Sequence, residues 1–221
     1  PRRLLDDAVG RLRSSKPTTN SLSASKAIAI GGWKQQSYIK AVNNDPGDSF
    51  GNTISYDNDT LVVGATGEDS NQTTITNGTT ASSDNNLSGS GAVYVYRRSG
   101  TTWSQEAYIK AVNSDVDDFF GWWVSLDGDT LAVGSYNESS NQTTITNGTT
   151  ASSDNSNLWS GAVYVYRRSG TTWAQEAYIK PANYSYRNHF GERLSLDADT
   201  LVVGSAYEGS NQTTITTSAP S

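Results

Sequence analysis

The sequence predicts an all-β fold: three tandem copies of a four-stranded antiparallel unit with a period of 70 residues. Three observations predict it. Nearly the same text as Gly91 to Gly134 returns from Gly161 to Gly204 with no insertion, and its second part also stands earlier, from Trp33 to Gly64. Trp33, Trp103 and Trp173 are in step, as are Phe50-Gly51, Phe120-Gly121 and Phe190-Gly191. Each copy alternates apolar and polar residues at the period of a half-buried strand, with turn residues between the runs.

The elements follow in chain order. Residues 1–26 are expected to form an N-terminal arm. Leu4, Leu5, Ala8, Val9 and Leu12 lie at helical spacing, with Asp6 and Asp7 in the first turn, which predicts a short amphipathic helix. Residues 14–26 (SSKPTTNSLSASK) make an extended, hydroxyl-rich linker. The repeat array is expected over residues 27–217, with 218–221 as a tail. It opens on AIAI-GG-WKQQSYIK, a hairpin signal around Gly31-Gly32. The later counterparts are VYVYRR-SGTT-WSQEAYIK and VYVYRR-SGTT-WAQEAYIK. Val93 and Val95 then face one side of their strand and Tyr94 and Tyr96 the other. After each Phe-Gly come two strands, such as NTISYD and TLVVG, joined by a tight acidic turn (Asp57-Asn58-Asp59, Asp127-Gly128-Asp129, Asp197-Ala198-Asp199). Long polar loops run from about Ala65 to Ser90 and from Ser135 to Ser160. Loops of that length are uncommon in compact domains.

Composition removes several function classes. There is no Cys, so disulfides, thiolate metal sites and a Cys nucleophile are excluded. The one His, His189, excludes a multi-His metal site within a chain. No apolar run approaches the roughly 20 residues of a bilayer-spanning helix. The net charge of -6 divides into +6 over residues 1–40 and -12 over residues 41–221. An acidic body disfavours nucleic acid, whose binding rests on phosphate neutralisation. Pro1 suggests a processed product or a fragment.

Four strands per repeated unit suggest propeller blades. The unit resembles the FG-GAP repeat, the blade of integrin alpha-subunit propellers and of many secreted microbial and protist proteins. The residues that carry the resemblance are the three Phe-Gly pairs and the segments Val63-Gly64-Ala65, Val133-Gly134-Ser135 and Val203-Gly204-Ser205. The resemblance covers about residues 33–217. Two departures matter. Many integrin-type blades carry an Asp-rich calcium loop between these segments, where this chain has only a tight turn with two acids. That is too few for the six to eight oxygens of a calcium site. Asp45, Asp48, Asp115 and Asp118 precede Phe-Gly and are the remaining metal candidates, but the third copy has Ser185 and Asn188 there. No metal or other cofactor is expected, and turn hydrogen bonding is the role expected of these acids. The second departure is the count, since three units do not readily close a ring. The array begins with the second half of a blade and ends with the first half of one. Joining these halves, within a chain or between chains, would use Ala27, Ile28, Ala29, Ile30 and Trp33 at one end and Leu201, Val202 and Val203 at the other.

The clearest chemical motif is Asn-X-Ser/Thr, the acceptor of an N-linked glycan. It occurs in register on the long loops, at Asn71, Asn77, Asn86, Asn137, Asn141, Asn147 and Asn211, and again at Asn183. Such sugars would cover the flat, β-prone TTITNGTT stretch. Catalysis finds no support: no carboxylate pair stands out from the turn acids, and His189 reads as a solvated loop residue. Trp122, Trp123 and Trp159 are candidates for stacking on sugars, with core packing as the plainer role. The chain is therefore expected to be no enzyme. It is expected to be an extracellular or cell-surface structural glycoprotein that assembles with itself head to tail. The other reading is an adhesion or lectin-like propeller fragment of a longer secreted protein, with extracellular glycans or cell-surface proteins as partners.

Overall fold

A computed structural model describes residues 3–6, 10–14, 33–183 and 185–211. Every regular element among them is a strand. Two sheets share one plan. In the first, β4 (Phe50–Asp57), β5 (Thr60–Ala65), β7 (Ala92–Ser99) and β8 (Thr102–Ile109) pair antiparallel in that order, and β6 (Ile75–Asn77) adds to the far edge of β8. In the second, β9 (Trp123–Asp127), β10 (Thr130–Ser135), β12 (Ala162–Ser169) and β13 (Thr172–Ile179) do the same, with β11 (Ile145–Asn147) on the edge. A two-stranded sheet of β14 (Phe190–Asp197) and β15 (Thr200–Ser205) follows. A three-stranded sheet of β1 (Arg3–Asp6), β2 (Gly10–Ser14) and β3 (Trp33–Tyr38) precedes. The all-β, blade-like architecture is as the sequence predicts. The three repeats make two sheets of four long strands, flanked by two partial ones, because each repeat straddles a junction between sheets.

The expected N-terminal helix is corrected. Residues 3–6 and 10–14 are strands, with Leu4 opposite Leu12. So short a helix is unstable alone, whereas an open strand edge satisfies backbone groups at once. The register explains the choice. Arg11 is opposite Ser37 and Leu12 opposite Gln35 across a bulge, and Val95 is opposite Ala107 and Tyr96 opposite Gln105 across the same bulge. β2 thus holds against β3 the place that β7 holds against β8. β1 holds the place of β5, since Leu4 is opposite Leu12 as Leu61 is opposite Tyr96. The AIAI half of the predicted first hairpin, Ala27 to Ile30, lies outside the described residues.

Alternation in the third strand sorts the core. Val93 and Val95 pack with Val62 against the aromatic face of the second sheet, where Tyr164, Tyr166 and Phe120 lie. Tyr94 and Tyr96 pack on the other face with Phe50 and Ile39. Phe50 meets Tyr94 edge-on at 5.3 Å, and Phe120 meets Tyr164 at 5.2 Å. One valine face thus meets the next tyrosine face. The turn acids tie neighbouring sheets together: Asp57 Oδ2 accepts the Gly128 N–H at 2.9 Å, and Asp127 Oδ2 accepts that of Ala198 at 2.7 Å.

Candidate functional site

The most distinctive polar arrangement is a buried cluster that each complete sheet repeats. Glu68 lies in the long loop after β5, Lys110 directly follows β8, and Asn43 stands in the linker before β4. Lys110 Nζ donates to Glu68 Oε2 at 2.8 Å and to Ser90 Oγ at 2.7 Å. Asn43 Nδ2 donates to Glu68 Oε1 at 3.1 Å, while Asn43 Oδ1 accepts from the Tyr94 hydroxyl at 2.7 Å. Ser70 Oγ lies 2.6 Å from the Tyr108 hydroxyl. The second copy puts Lys180 Nζ 2.6 Å from Glu138 Oε2, with Asn113 Nδ2 3.1 Å from Oε1. Both ion pairs are almost wholly buried. Burial pushes both lysines below the usual ammonium range, and the facing glutamate partly opposes this. One carboxylate therefore clips linker, loop and outer strand together.

The third copy of this cluster is divided between the two terminal sheets. Lys40 stands 70 residues before Lys110, and Glu208 stands 70 after Glu138. Lys40 is exposed and forms no ion pair among the described residues. Glu208 is also exposed, although Asn183 Nδ2 and Ser210 Oγ already donate to it as their counterparts do to Glu68. Tyr38 is 60% exposed where Tyr108 and Tyr178 are fully buried. No local sequence pattern singles out this lysine–glutamate pairing. The signal lies in the recurrence of Lys, Asn and Glu at 70-residue spacing, but in sequence each ion pair spans 42 positions.

The candidates from sequence fall into several places. β15 carries Leu201, Val202 and Val203, and its far edge has no strand beside it among the described residues. Val202 is 61% exposed, whereas Val62 and Ala132 at the same position are fully buried. Trp33 begins β3, and Ala27 to Ile30 lie outside the described residues. Asp48 Oδ2 accepts the Asp45 N–H at 2.8 Å, and Asp118 Oδ2 accepts the Asp115 N–H at 3.0 Å. Among the described residues no three His, Cys, Asp or Glu side chains are grouped to hold a metal ion.

Of the sequon asparagines, Asn71, Asn77, Asn86, Asn141, Asn147 and Asn211 are exposed. Asn77 exchanges two hydrogen bonds with the Trp173 backbone across the sheet junction. Asn137 is half-buried and donates to the Asp117 carbonyl at 3.1 Å. Asn183 fills the place that Asn43 and Asn113 hold in the buried cluster. The TTITNGTT loop is less open than expected, because Ile75 to Asn77 pair with β8. His189 is corrected from a solvated loop residue. It is half-buried between Tyr136 and Tyr207, at 5.0 and 4.9 Å, and burial lowers its pKa. Trp122 lies 4.5 Å from Tyr136 in the same aromatic group, and Trp123 donates to the Leu194 carbonyl at 2.9 Å.

The model of the FG-GAP repeat matches residues 33–96 and 103–166, more than half of the chain. The chain belongs to the FG-GAP repeat family. Each matched stretch runs from the outer strand of one sheet into the third strand of the next, so the family unit, like the 70-residue period, spans a junction. No curated protein matches the chain.

Proposed function

We propose that this FG-GAP protein is an extracellular structural glycoprotein without enzymatic activity, whose units add head to tail. The observation that carries the reading is the divided buried cluster: Lys40 at one end and Glu208 at the other are the two halves of a pair that is buried twice elsewhere. Bringing β15 beside β2, in the place β1 now holds, sets Glu208 against Lys40 and covers Val202 and Tyr38. FG-GAP repeats typically occur in extracellular or cell-surface proteins. The exposed asparagines Asn71, Asn86, Asn141, Asn147 and Asn211 would carry the N-linked glycans. Asn77, Asn137 and Asn183 have amides that donate to segments outside their own loop and would carry less, whereas Asn86 and Asn141 donate only within their own exposed loop.

Sedimentation and electron microscopy of the full chain over a wide concentration range test the assembly. Mass growing with concentration into linear particles is expected, and a monomer throughout would sink the idea. Intact mass before and after enzymatic removal of glycans tests the sugars, and an unchanged mass removes them. A second reading, a ligand-binding propeller within a longer secreted protein, draws on the aromatic residues of one rim.

A further inference from the structure

The rim beside the second long loop holds two residues that its own repeat pattern does not explain. Trp159 has φ of 58° at the position where the first repeat has Gly89, with φ of 63°. Arg187 has φ of 62° where the earlier copies have Gly47 and Asp117. The left-handed region suits Gly and tolerates Asp, while a bulky side chain is strained there. The backbone is nonetheless fixed. Trp159 N donates to Ser139 Oγ at 3.1 Å, and Arg187 N donates to the Leu158 carbonyl at 3.2 Å. The two strained residues meet: the guanidinium carbon of Arg187 lies 4.3 Å from the Trp159 ring centre and 4.9 Å from that of Tyr186. The Trp159 and Tyr186 rings are stacked, 6.2 Å apart and 18° from parallel. Tyr186 is 54% exposed. Arg187 is exposed and forms no ion pair among the described residues. Strain of this kind concentrates where a side chain has a task.

We propose that Trp159, Tyr186 and Arg187 form a binding site for the carboxylate-bearing terminal sugar of a glycan. A guanidinium held beside two rings, exposed and without an ion pair among the described residues, has N–H groups to offer a carboxylate in the bidentate geometry arginine favours. The adjoining aromatic surface takes the apolar C–H face of the pyranose. A single acidic sugar fits better than a polyanion, because residues 41–221 carry a balance of -12 that repels extended negative chains. The loop segments around the rings (Ser185, Ser156) are polar and exposed, which suits sugar hydroxyls.

The test titrates the full chain with sialyllactose, with lactose, and with a short acidic peptide, following tryptophan fluorescence and NMR shifts. Sialyllactose is expected to saturate at about millimolar concentration, as for a shallow monovalent site. Lactose and the peptide are expected to bind at least tenfold more weakly. Trp159→Gly and Arg187→Gly restore residues that the first repeat already uses at these backbone positions. Each is expected to keep or raise thermal stability while weakening sialyllactose at least tenfold. Arg187→Lys, which keeps the charge but loses the fork, is expected to weaken it several-fold. No saturation by sialyllactose, equal binding of lactose or the peptide, or unchanged binding in both glycine variants overturns the proposal.

Discussion

Asp118 is 3% exposed, and its carboxyl is pushed up to about 8, chiefly by burial and then by the nearby Glu138. It therefore stays protonated in the folded chain at neutral pH, whereas the unfolded carboxyl ionises near pH 3.9. Between those values the folded state binds the extra proton, so stability falls as pH rises from about 4 to about 8 and levels off beyond. The third repeat agrees chemically: Asn188, which cannot ionise, stands 70 residues on and is equally buried. Asp118→Asn keeps an oxygen to accept the Asp115 N–H. Urea unfolding at pH 5 and pH 8 is expected to show wild type losing on the order of a few kcal/mol more than the variant. Parallel pH profiles would remove this account. The buried lysines behave differently, since each has a counter-ion. Lys110→Met leaves Glu68 charged and unpaired, at a cost of about 3–5 kcal/mol. Lys40→Met, at the same repeat position but exposed, is expected to change the stability of the dilute chain by about 0.5 kcal/mol or less. Equal effects at the two positions would contradict the burial argument.

Between elements, the sheets approach so closely that one repeated glycine has two different meanings. A Cβ added at Gly134 in β10 would stand 2.1 Å from the Gly191 carbonyl oxygen, and one at Gly64 would stand 2.2 Å from that of Gly121. Gly204, the same position in β15, meets nothing nearer than Arg193 Cβ at 3.3 Å, because among the described residues no further sheet packs there. Gly134→Ala should therefore cost about 1–3 kcal/mol or more in thermal or urea unfolding. Gly204→Ala should cost far less, and similar losses would mean that β15 is covered. This contrast explains what the sequence displays. The Phe-Gly strands and their partners were legible because alternation and period agreed three times. β6 and β11 were not, because Ile-Thr-Asn is too short and polar to alternate; their pairing is dictated by the free edge of β8 and β13. Leu4, Leu5 and Leu12 satisfied a helical period, and only the edge of β3 turns Arg3–Asp6 and Gly10–Ser14 into strands. The buried lysine clusters depend on contacts between a linker, a loop and a strand end, which no local pattern records.

At the scale of the molecule, the charges at the two ends offer a way to tell closure within a chain from closure between chains. Lys40 and Glu208 meet in either case, so removing one of them does not distinguish the two. A charge exchange does. Lys40→Glu sets two carboxylates against each other, and Glu208→Lys sets two ammonium groups together; like charges brought into a buried site cost several kcal/mol. Each variant alone is expected to stay monomeric by light scattering at concentrations where wild type grows. Mixing the two restores growth if assembly is head to tail. The glutamate introduced in one variant then meets the lysine introduced in the other, and the next junction along pairs the native Lys40 and Glu208. If the ends close within one chain, mixing does nothing, and only the double variant regains wild-type thermal stability as a monomer. Growth by each single variant would show that this pair is not at the junction at all, and the open edge of β15 would then need a different partner.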